Sequence, residues 1–399
     1  MSKEDQFTMP GLSERIERFF EELPPLLSGV EGMVARGKAY RKALCEAGLA
    51  GLDVPAGYGG GGYGPPAKAL FAKLSRGRIP AEDDIFTIGL GMALPTLLEF
   101  AAEHLRRRYV EPALRGEEIW CQMYSEPGAG SDLAGLQTRA LRTAGGWVLN
   151  GQKIWTSRAE IAQFAICLAR TDVDAPKHKG ITMFVVPMDQ PGVTVRPIRQ
   201  ITGACEFNEV FLDDAVVPED HVVGEVNGGW PVAVALMQNE RSAIGSGGGR
   251  RPVPFEKLRD LVHDRGRAAD PRVRGDLADC YIGQRLAELL SELEAESVDA
   301  GTPLGAETSL GKLWRSTNGR AAAALVGELA FATGTAWQTG DDREDWAYAV
   351  LDACALSLGG GTDEVQKNGI AEKVLGLPRD PYRTDKVPFR DLTVGTQRD

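Results

Sequence analysis

A long stretch with strand patterning lies between two stretches with helical patterning. From about Leu12 to Arg115, runs such as ERIERFFEEL repeat apolar residues at helical spacing. From Ile119 to about Pro218, short apolar runs are separated by Pro and Gly without intervening helices, which is typical of an antiparallel sheet. From Gly229 onward the helical spacing returns. We therefore predict an α+β fold with an N-terminal helical domain (1–118), a central antiparallel β-domain (119–220) and a C-terminal helical bundle (221–399).

Composition restricts the class of protein and its partners. The chain is 43% hydrophobic and 25% charged, as in a soluble globular enzyme, and its net charge of −11 without a basic stripe argues against nucleic acid. The start, MSKEDQFTMP, is unlike a secretory signal, and the run AAAALVGELAFATG is too short to span a membrane. Six scattered cysteines without a CxxC pair, and four scattered histidines, predict no metal site. We expect a cytoplasmic protein.

The first motif is YSEPGAGSD, from Tyr124 to Asp132. Its glycines let backbone N–H groups approach an anion closely, and two hydroxyls, Ser125 and Ser131, stand beside them. This pattern predicts a cofactor-binding loop. The alternative is an ordinary turn in which Asp132 caps the segment that follows. The residues alone favour neither interpretation.

The second motif is NGQKIWTS. Its Asn-Gly pair predicts a two-residue hairpin turn inside WVLNGQKIW, because Asn-Gly suits a type I′ turn. Trp155, Thr156 and Ser157 end the second strand, where a Trp can cover one face of a flat ring while hydroxyls bond its edge. The alternative, which is the commoner fate of a strand Trp, is packing in the β-core.

The third feature is a carboxylate in an apolar helix face. On WPVAVALMQNERSAIG, spacings of three and four place Glu240 on one face with four apolar residues: Ala233, Leu236, Met237 and Ile244. Desolvation makes a carboxylate more basic, as abstraction of a weakly acidic C–H proton requires. The alternative is that Glu240 reaches solvent or pairs with a basic group from another helix.

The fourth feature is the run Gly359-Gly360-Gly361-Thr362 between two predicted helices. Gly commonly ends helices and Thr caps them, so the run has a purely structural explanation. A functional interpretation is that the new helix points its N-terminus at a phosphate, and that the glycines leave room beside a bulky substrate.

Together these segments resemble the acyl-CoA dehydrogenase family over nearly the whole chain. AGLAGLDVPAGYGGGGYG is similar to its N-terminal element, YSEPGAGSD and NGQKIWTS to its flavin-binding domain, and GGGTDEVQKNGIAEKVLGLPR to its closing motif. The resemblance implies FAD, an acyl-CoA substrate, and α,β-dehydrogenation with electrons passed to an electron-transfer flavoprotein. It also implies a homodimer or tetramer.

The resemblance implies roles for single residues. Positions that match flavin contacts are Tyr124, Ser125, Gly130, Ser131, Trp155, Ser157, Thr362 and Glu364. Positions that match acyl-CoA contacts are Ser131, Gln238, Arg241, Gly360 and Gly361.

The position of the catalytic base departs from the commoner pattern. Many members carry it as the Glu of a Tyr-Glu-Gly-Thr run, where this chain has Gly360. A minority place it on the earlier helix in a Glu-Arg pair, which Glu240-Arg241 matches. We therefore predict Glu240 as the base. The chain is most similar to actinobacterial members with a GGG loop, some of which act on steroid side chains and pair with a second subunit.

Two family motifs are replaced. HDRGRAADPRVRGD stands where Arg-x-x-Phe-Gly is usual, and ELAFATGTAW where Gln-x-x-Gly-Gly is usual. Both usual motifs serve the inter-subunit part of the FAD site, so a hetero-oligomer is an alternative to a homo-oligomer. We predict an enzyme for a bulky or branched acyl-CoA, or a carrier-protein-bound acyl group. The alternatives are an acyl-CoA oxidase that uses O₂ and a non-catalytic partner subunit.

Overall fold

The computed structural model describes residues 9–245, 253–299, 302, 305–334, 344–379 and 386–393. The chain forms two compact units. The first comprises Met1–Ile198, Cys205–Ala243 and Tyr382–Asp399, and the second comprises Arg199–Ala204 and Ile244–Pro381. Each is described separately below. No helix in the described part of the chain is both long and apolar enough to cross a membrane.

The first unit begins with helices, as the sequence predicts. They are α1 (Met9–Leu26), α2 (Met33–Glu46), α3 (Pro65–Leu74), α4 (Leu94–Phe100) and α5 (Glu103–Leu114). In α1 the helical spacing places Leu12, Ile16 and Leu23 in a buried cluster with Tyr40 and Leu44 of α2. The glycine-rich segment between α2 and α3 includes a short 3₁₀ turn, Ala56–Tyr58.

The centre of this unit is a sheet, whose eight strands lie in the described part of the chain. They are β1 (Trp120–Met123), β2 (Arg139–Thr143), β3 (Gly146–Ser157), β4 (Phe164–Arg170), β5 (Ile181–Pro187), β6 (Val193–Ile198), β7 (Phe207–Val217) and β8 (Val222–Val223). Their order is β6-β7-β3-β2-β4-β5-β8, with β1 beside β4. Most pairs are antiparallel, as predicted, but β1–β4 and the short β2–β4 contact are parallel.

Both faces of the central strands are buried. Ile166 and Leu168 of β4 join the cluster shared with the helices, whereas Ala165 and Cys167 join the cluster on the opposite face. Successive residues of a strand point to opposite faces. In β5, Met183 and Val185 join the first cluster and Phe184 and Val186 the second. Burial on both faces therefore explains why ITMFVVP is apolar at all positions but Thr182 and does not alternate.

The predicted Asn-Gly hairpin turn is wrong. Asn150 and Gly151 lie inside β3, and the chain reverses at Ala144–Gly145, where Thr143 pairs with Gly146. Asn150 instead exchanges two hydrogen bonds with Asp214 of β7, at 2.9 and 3.0 Å, beside a register shift. A Cβ on Gly151 would lie 2.7 Å from the Cα of Thr138, so glycine permits a close strand approach here.

Helix α6 (Gly229–Gly245) packs against the sheet and the N-terminal helices of the same unit. Val232, Ala233 and Leu236 are buried there with Tyr124 and Leu133 of the β1–β2 connection. The helix that carries Glu240 is thus fixed against the loop that carries the first motif.

The second unit is helical, as predicted. Its helices are α7 (Phe255–Asp264), α8 (Pro271–Asp299), α9 (Thr308–Gly334), α10 (Glu344–Asp352) and α11 (Asp363–Gly369). Leu261 and Val262 of α7, Val273 of α8, and Leu325 and Val326 of α9 form its buried core.

Candidate functional site

The first motif forms a loop with a closed base and an exposed tip. Glu126 and Ala129 exchange backbone hydrogen bonds of 3.1 and 3.0 Å, which makes a tight turn. Gly130 and Ser131 are exposed, and a Cβ on Gly130 would meet no atom of the described residues within 4 Å. Asp132 does not cap the following turn but pairs with Lys177 at 2.7 Å. The tip thus presents its backbone and one hydroxyl outward, as an anion-binding loop requires.

A buried ion pair that the sequence analysis missed supports this loop. Lys153 is fully buried, and its Nζ donates to Glu126 Oε1 at 2.8 Å and to the Tyr124 carbonyl at 3.1 Å. Glu126 also accepts the backbone N–H groups of Gln137 (2.6 Å) and Thr138 (2.9 Å). The sequence did contain a sign of this pair, because the first motif includes Glu126 and the second includes Lys153.

The Glu126 carboxylate is held in its ionised form. Burial alone would raise its pKa, but the charge of Lys153 and the hydrogen bonds from Lys153, Thr138 and Gln137 outweigh burial and hold the pKa below its ordinary value. The carboxylate is therefore charged at neutral pH, and the hydrogen bond from Lys153 compensates it inside the protein.

Trp155 is not a core residue. It is 54% exposed, its φ is 60°, and it lies at a register shift in the β3–β7 pairing. A left-handed backbone is strained for a bulky residue, and such strain concentrates at functional sites. The only ring contact of Trp155 among the described residues is with Phe207, at 5.9 Å between centroids. The indole face is therefore open to a ligand.

The two motifs are joined directly, and they leave polar atoms without partners. Ile154 N donates to Ser125 O at 2.9 Å, which fixes the loop beside the end of β3. The Tyr124 hydroxyl and Thr156 Oγ1 are buried and have no hydrogen-bond partner among the described residues, although buried polar groups are normally satisfied. Ser157 is half-buried. An exposed indole and unpartnered hydroxyls fit a flat polar cofactor such as FAD.

Glu240 lies within electrostatic reach of the loop. Burial raises the pKa of Tyr124 well above its ordinary value, and the negative charge of Glu240 raises it further. Glu240 is half-buried, and the apolar face predicted for it includes the buried Ala233 and Leu236 and the half-buried Met237. The structure thus places the predicted base on the helix that packs against Tyr124, a predicted flavin-contact residue.

Gln238 and Arg241 are the two predicted substrate contacts on α6. Gln238 is exposed. The side chains of Arg241 and Ile244 lie outside the described residues.

The glycine run is held in shape within the second unit. Gly360 and Gly361 have φ angles of 67° and 85°, which favour glycine. Gln366 Nε2 donates to the Gly360 carbonyl at 2.9 Å and to the Gly361 carbonyl at 3.3 Å. Thr362 caps α11 through its hydroxyl, which accepts from Val365 N at 3.2 Å, as the sequence predicts.

The helix that follows the glycines is anchored by a buried carboxylate. Asp363 is 3% exposed and accepts from Ser316 at 2.6 Å and Lys312 at 3.1 Å, both on α9. Although burial opposes ionisation, these hydrogen bonds lower the pKa of Asp363. Glu364 is exposed. The glycine run therefore has a fixed geometry that does not depend on side chains of its own.

Comparison with known families matches the chain in three consecutive parts. Residues 12–117 match the N-terminal domain of acyl-CoA dehydrogenases, residues 121–215 the middle domain, and residues 227–375 the C-terminal domain. These three matches cover most of the chain in the expected order.

Individual relatives of the chain are acyl-CoA dehydrogenases as well. The chain is 39% identical over 357 residues to the acyl-CoA dehydrogenase FadE34 of Mycobacterium tuberculosis, a match that covers 89% of this chain and 48% of FadE34. It therefore spans about half the length of that relative. It is 37% identical over 348 residues to the acyl-CoA dehydrogenase IpdE1 of the same organism, covering 86% of this chain and 88% of IpdE1.

A solved structure is similar over nearly the full length. The "Tcur3481-Tcur3483 steroid ACAD" superposes with a TM-score of 0.78 at 28% identity, covering 94% of this chain and 99% of the other. The order of helices, sheet and helices is thus shared with that structure.

Proposed function

Because this chain belongs to the acyl-CoA dehydrogenase family, we propose that it dehydrogenates an acyl-CoA thioester between its α and β carbons. FAD is the cofactor, and an electron-transfer flavoprotein is the electron acceptor. The observation that carries the proposal is the position of Glu240, which is half-buried on α6, the helix whose Ala233 and Leu236 pack in one cluster with Tyr124. No carboxylate is available at Gly360, the other position the family uses.

The residues of the first unit fit FAD. Trp155 offers an open indole face, Gly130 and Ser131 offer an exposed backbone and a hydroxyl, and Tyr124 carries a phenol without a partner among the described residues. A tyrosine phenol is protonated at neutral pH, and burial raises the pKa of this one further, so it can donate a hydrogen bond. When bound, FAD supplies the acceptor for the β-hydride.

A side chain of the protein, and not the cofactor, removes the α-proton. The Glu240 carboxylate takes the α-proton, and partial burial beside Leu236 and Met237 favours a base that is not fully hydrated. The family resemblance assigns the Gly360 N–H to the thioester carbonyl, which makes the α-proton more acidic. Glycine keeps this backbone N–H although it has no side chain.

The substrate we propose is bulky, such as a branched or ring-bearing acyl group. Gly359 and Gly360 stand where many relatives have Tyr and Glu. Within the described part of the chain, a Cβ on Gly359 would meet only the Ala355 carbonyl, at 3.7 Å. The likeness to a structure named a steroid dehydrogenase supports the same conclusion.

An oligomer fits an exposed apolar row on α8. Ile282, Leu286, Leu289 and Leu293 recur at helical spacing and are 39–59% exposed in the isolated chain. Such a row usually marks a contact with another chain. The assembly that we propose is a homodimer or tetramer, and size-exclusion chromatography with light scattering tests it.

A second candidate is a partner subunit of a hetero-oligomer. Arg267 and Arg272 lie in one of the two replaced motifs, and both pair with Glu328 of the other. Both arginines thus form ion pairs within the chain itself. The two-part name of the similar steroid enzyme also favours this alternative.

The absorption spectrum of the purified protein tests the proposal. A yellow protein whose flavin bands are bleached by bulky acyl-CoA thioesters, but slowly by butyryl- or octanoyl-CoA, would support it. Comparing O₂ with an electron-transfer flavoprotein as acceptor separates an oxidase from a dehydrogenase. A folded protein that stays colourless in excess FAD would favour the partner-subunit alternative.

A further inference from the structure

Residues 386–393, here called the C-terminal clamp, lie on the loop between β4 and β5 in the first unit. Pro388 pairs with Pro176, Phe389 N donates to Ala175 O at 2.9 Å, and Arg390 N donates to Val173 O at 3.0 Å. The clamp lies beyond residue 375, where the match to the family's C-terminal domain ends.

Phe389 covers a buried arginine. Its ring centroid lies 3.7 Å from Cζ of Arg170, and the two residues are 8% and 1% exposed. Burial lowers the pKa of Arg170 to about 10, so the guanidinium still carries its charge at neutral pH. Cation–π attraction is strongest where both partners are desolvated, as they are here.

Arg170 joins two loops. It donates to Ala134 O and Lys177 O, each at 2.7 Å, and more weakly to Leu136 O at 3.4 Å. The carbonyls of Ala134 and Leu136 lie in the β1–β2 connection just after the first motif, and the carbonyl of Lys177 lies in the β4–β5 loop. The ion pair between Lys177 and Asp132 crosses between the same two loops.

We propose that Phe389 is a positioning residue, which holds Arg170 against the motif loop and thereby fixes the Gly130–Ser131 tip for binding the cofactor. The proposal rests on the proposed function, because it assigns FAD to that tip. The clamp acts through Arg170. Without the aromatic cover, water reaches the guanidinium and competes with the three carbonyls.

Hydrogen exchange tests the first half without any ligand. In Phe389→Ala, amide protons in residues 131–138 and 172–180 should exchange at least about tenfold faster, since a lost desolvated cation–π contact weakens local closure by about that factor. Residues 181–187 of β5 should be unchanged. Phe389→Tyr keeps the ring and should keep the protection, whereas Phe389→Leu keeps only apolar cover and should lose part of it.

Cofactor titration tests the second half. Phe389→Ala should weaken FAD binding by about tenfold, and Leu392→Ala, in the same segment, should bind FAD as the wild type does. Arg170→Lys keeps the charge but not the three-carbonyl geometry, and it should resemble Phe389→Ala.

The outcomes separate the two proposals. Unchanged exchange in Phe389→Ala overturns the clamp, and so does faster exchange with unchanged FAD affinity. A wild-type protein that binds no FAD overturns the proposed function and the clamp's assignment to FAD together, while the exchange data still show whether Phe389 orders the loops. If Phe389→Ala does not fold, Phe389→Leu carries both measurements.

Discussion

Nζ of Lys153 lies 2.8 Å from Oε1 of Glu126, and the two side chains are 0% and 7% exposed. This pair connects β3, the strand that carries Trp155, with the loop that begins at Tyr124. A buried pair contributes little net stability compared with apolar residues, but removing one partner leaves an uncompensated charge. The pair therefore fixes the relative position of the two predicted flavin-binding segments.

Breaking the pair should be costly. Lys153→Met removes the charge at similar volume, and we expect the free energy of unfolding to fall by about 3–5 kcal/mol, as measured by urea denaturation. The matched control is Lys68→Met, which breaks an exposed pair with Asp53 of the same 2.8 Å length and should cost less than about 1 kcal/mol. Equal losses in the two variants would contradict the argument from burial.

The pair should also shape the acid sensitivity of the fold. The pKa of folded Glu126 lies below the ordinary value of 4.5. Its ionised form therefore stabilises the fold above pH 4.5, and this contribution is lost as the pH falls through the folded pKa. Unfolding free energies measured between pH 6 and pH 3 should fall less steeply in Glu126→Gln than in wild type. Glu225→Gln, which changes an exposed carboxylate, should keep the wild-type slope.

Glu240→Gln keeps the shape of the side chain but removes the base. It should retain FAD and bind acyl-CoA, yet its flavin should be reduced about 10²-fold more slowly or worse, the usual scale for a lost general base. Stopped-flow absorbance measures the rate, with Glu225→Gln as the control for a lost negative charge. Flavin reduction at the wild-type rate in Glu240→Gln would mean that the base lies elsewhere, even in a true family member.

Substitution of Trp155 should affect FAD binding without a large effect on the stability of the fold. Trp155→Gly relieves the left-handed strain, which costs a non-glycine residue about 1–2 kcal/mol, while it loses the contact with Phe207. The unfolding free energy should therefore stay within about 1 kcal/mol of the wild-type value, whereas FAD affinity should fall because the indole face is gone. Trp155→Phe should retain much of the affinity. Undiminished FAD binding in Trp155→Gly would exclude Trp155 from the flavin site.

The sequence predicted those parts of the fold that depend on local patterning. Helical spacing in α1 and α6, and the Thr362 cap, follow from neighbouring residues and are confirmed. The hairpin prediction failed at Asn150-Gly151 because strand partners compete with turn propensity. There Asn150 bonds Asp214, and Thr138 leaves no room for a Cβ at position 151.

The long-range contacts that hold the site in place could not be predicted in the same way. A lysine is almost never fully buried unless it is paired, and the partner of Lys153 lies on a different element. The contact between Phe389 and Arg170 joins distant parts of the chain. Local sequence shows that each motif contains a charged residue, but it does not show which residues pair across the fold. The orientation of Trp155 likewise depends on the β3–β7 register shift and not on its own residue type.

The clamp sets an order of events during protein synthesis. Phe389 is translated only after the whole second unit, whereas Arg170 and the motif loop emerge well before it. On the ribosome, the first unit therefore has its sheet and its motif loop but lacks the aromatic cover over Arg170. A nascent chain should hold its cofactor loosely, and firm retention should begin only when the last segment of the first unit has left the ribosome.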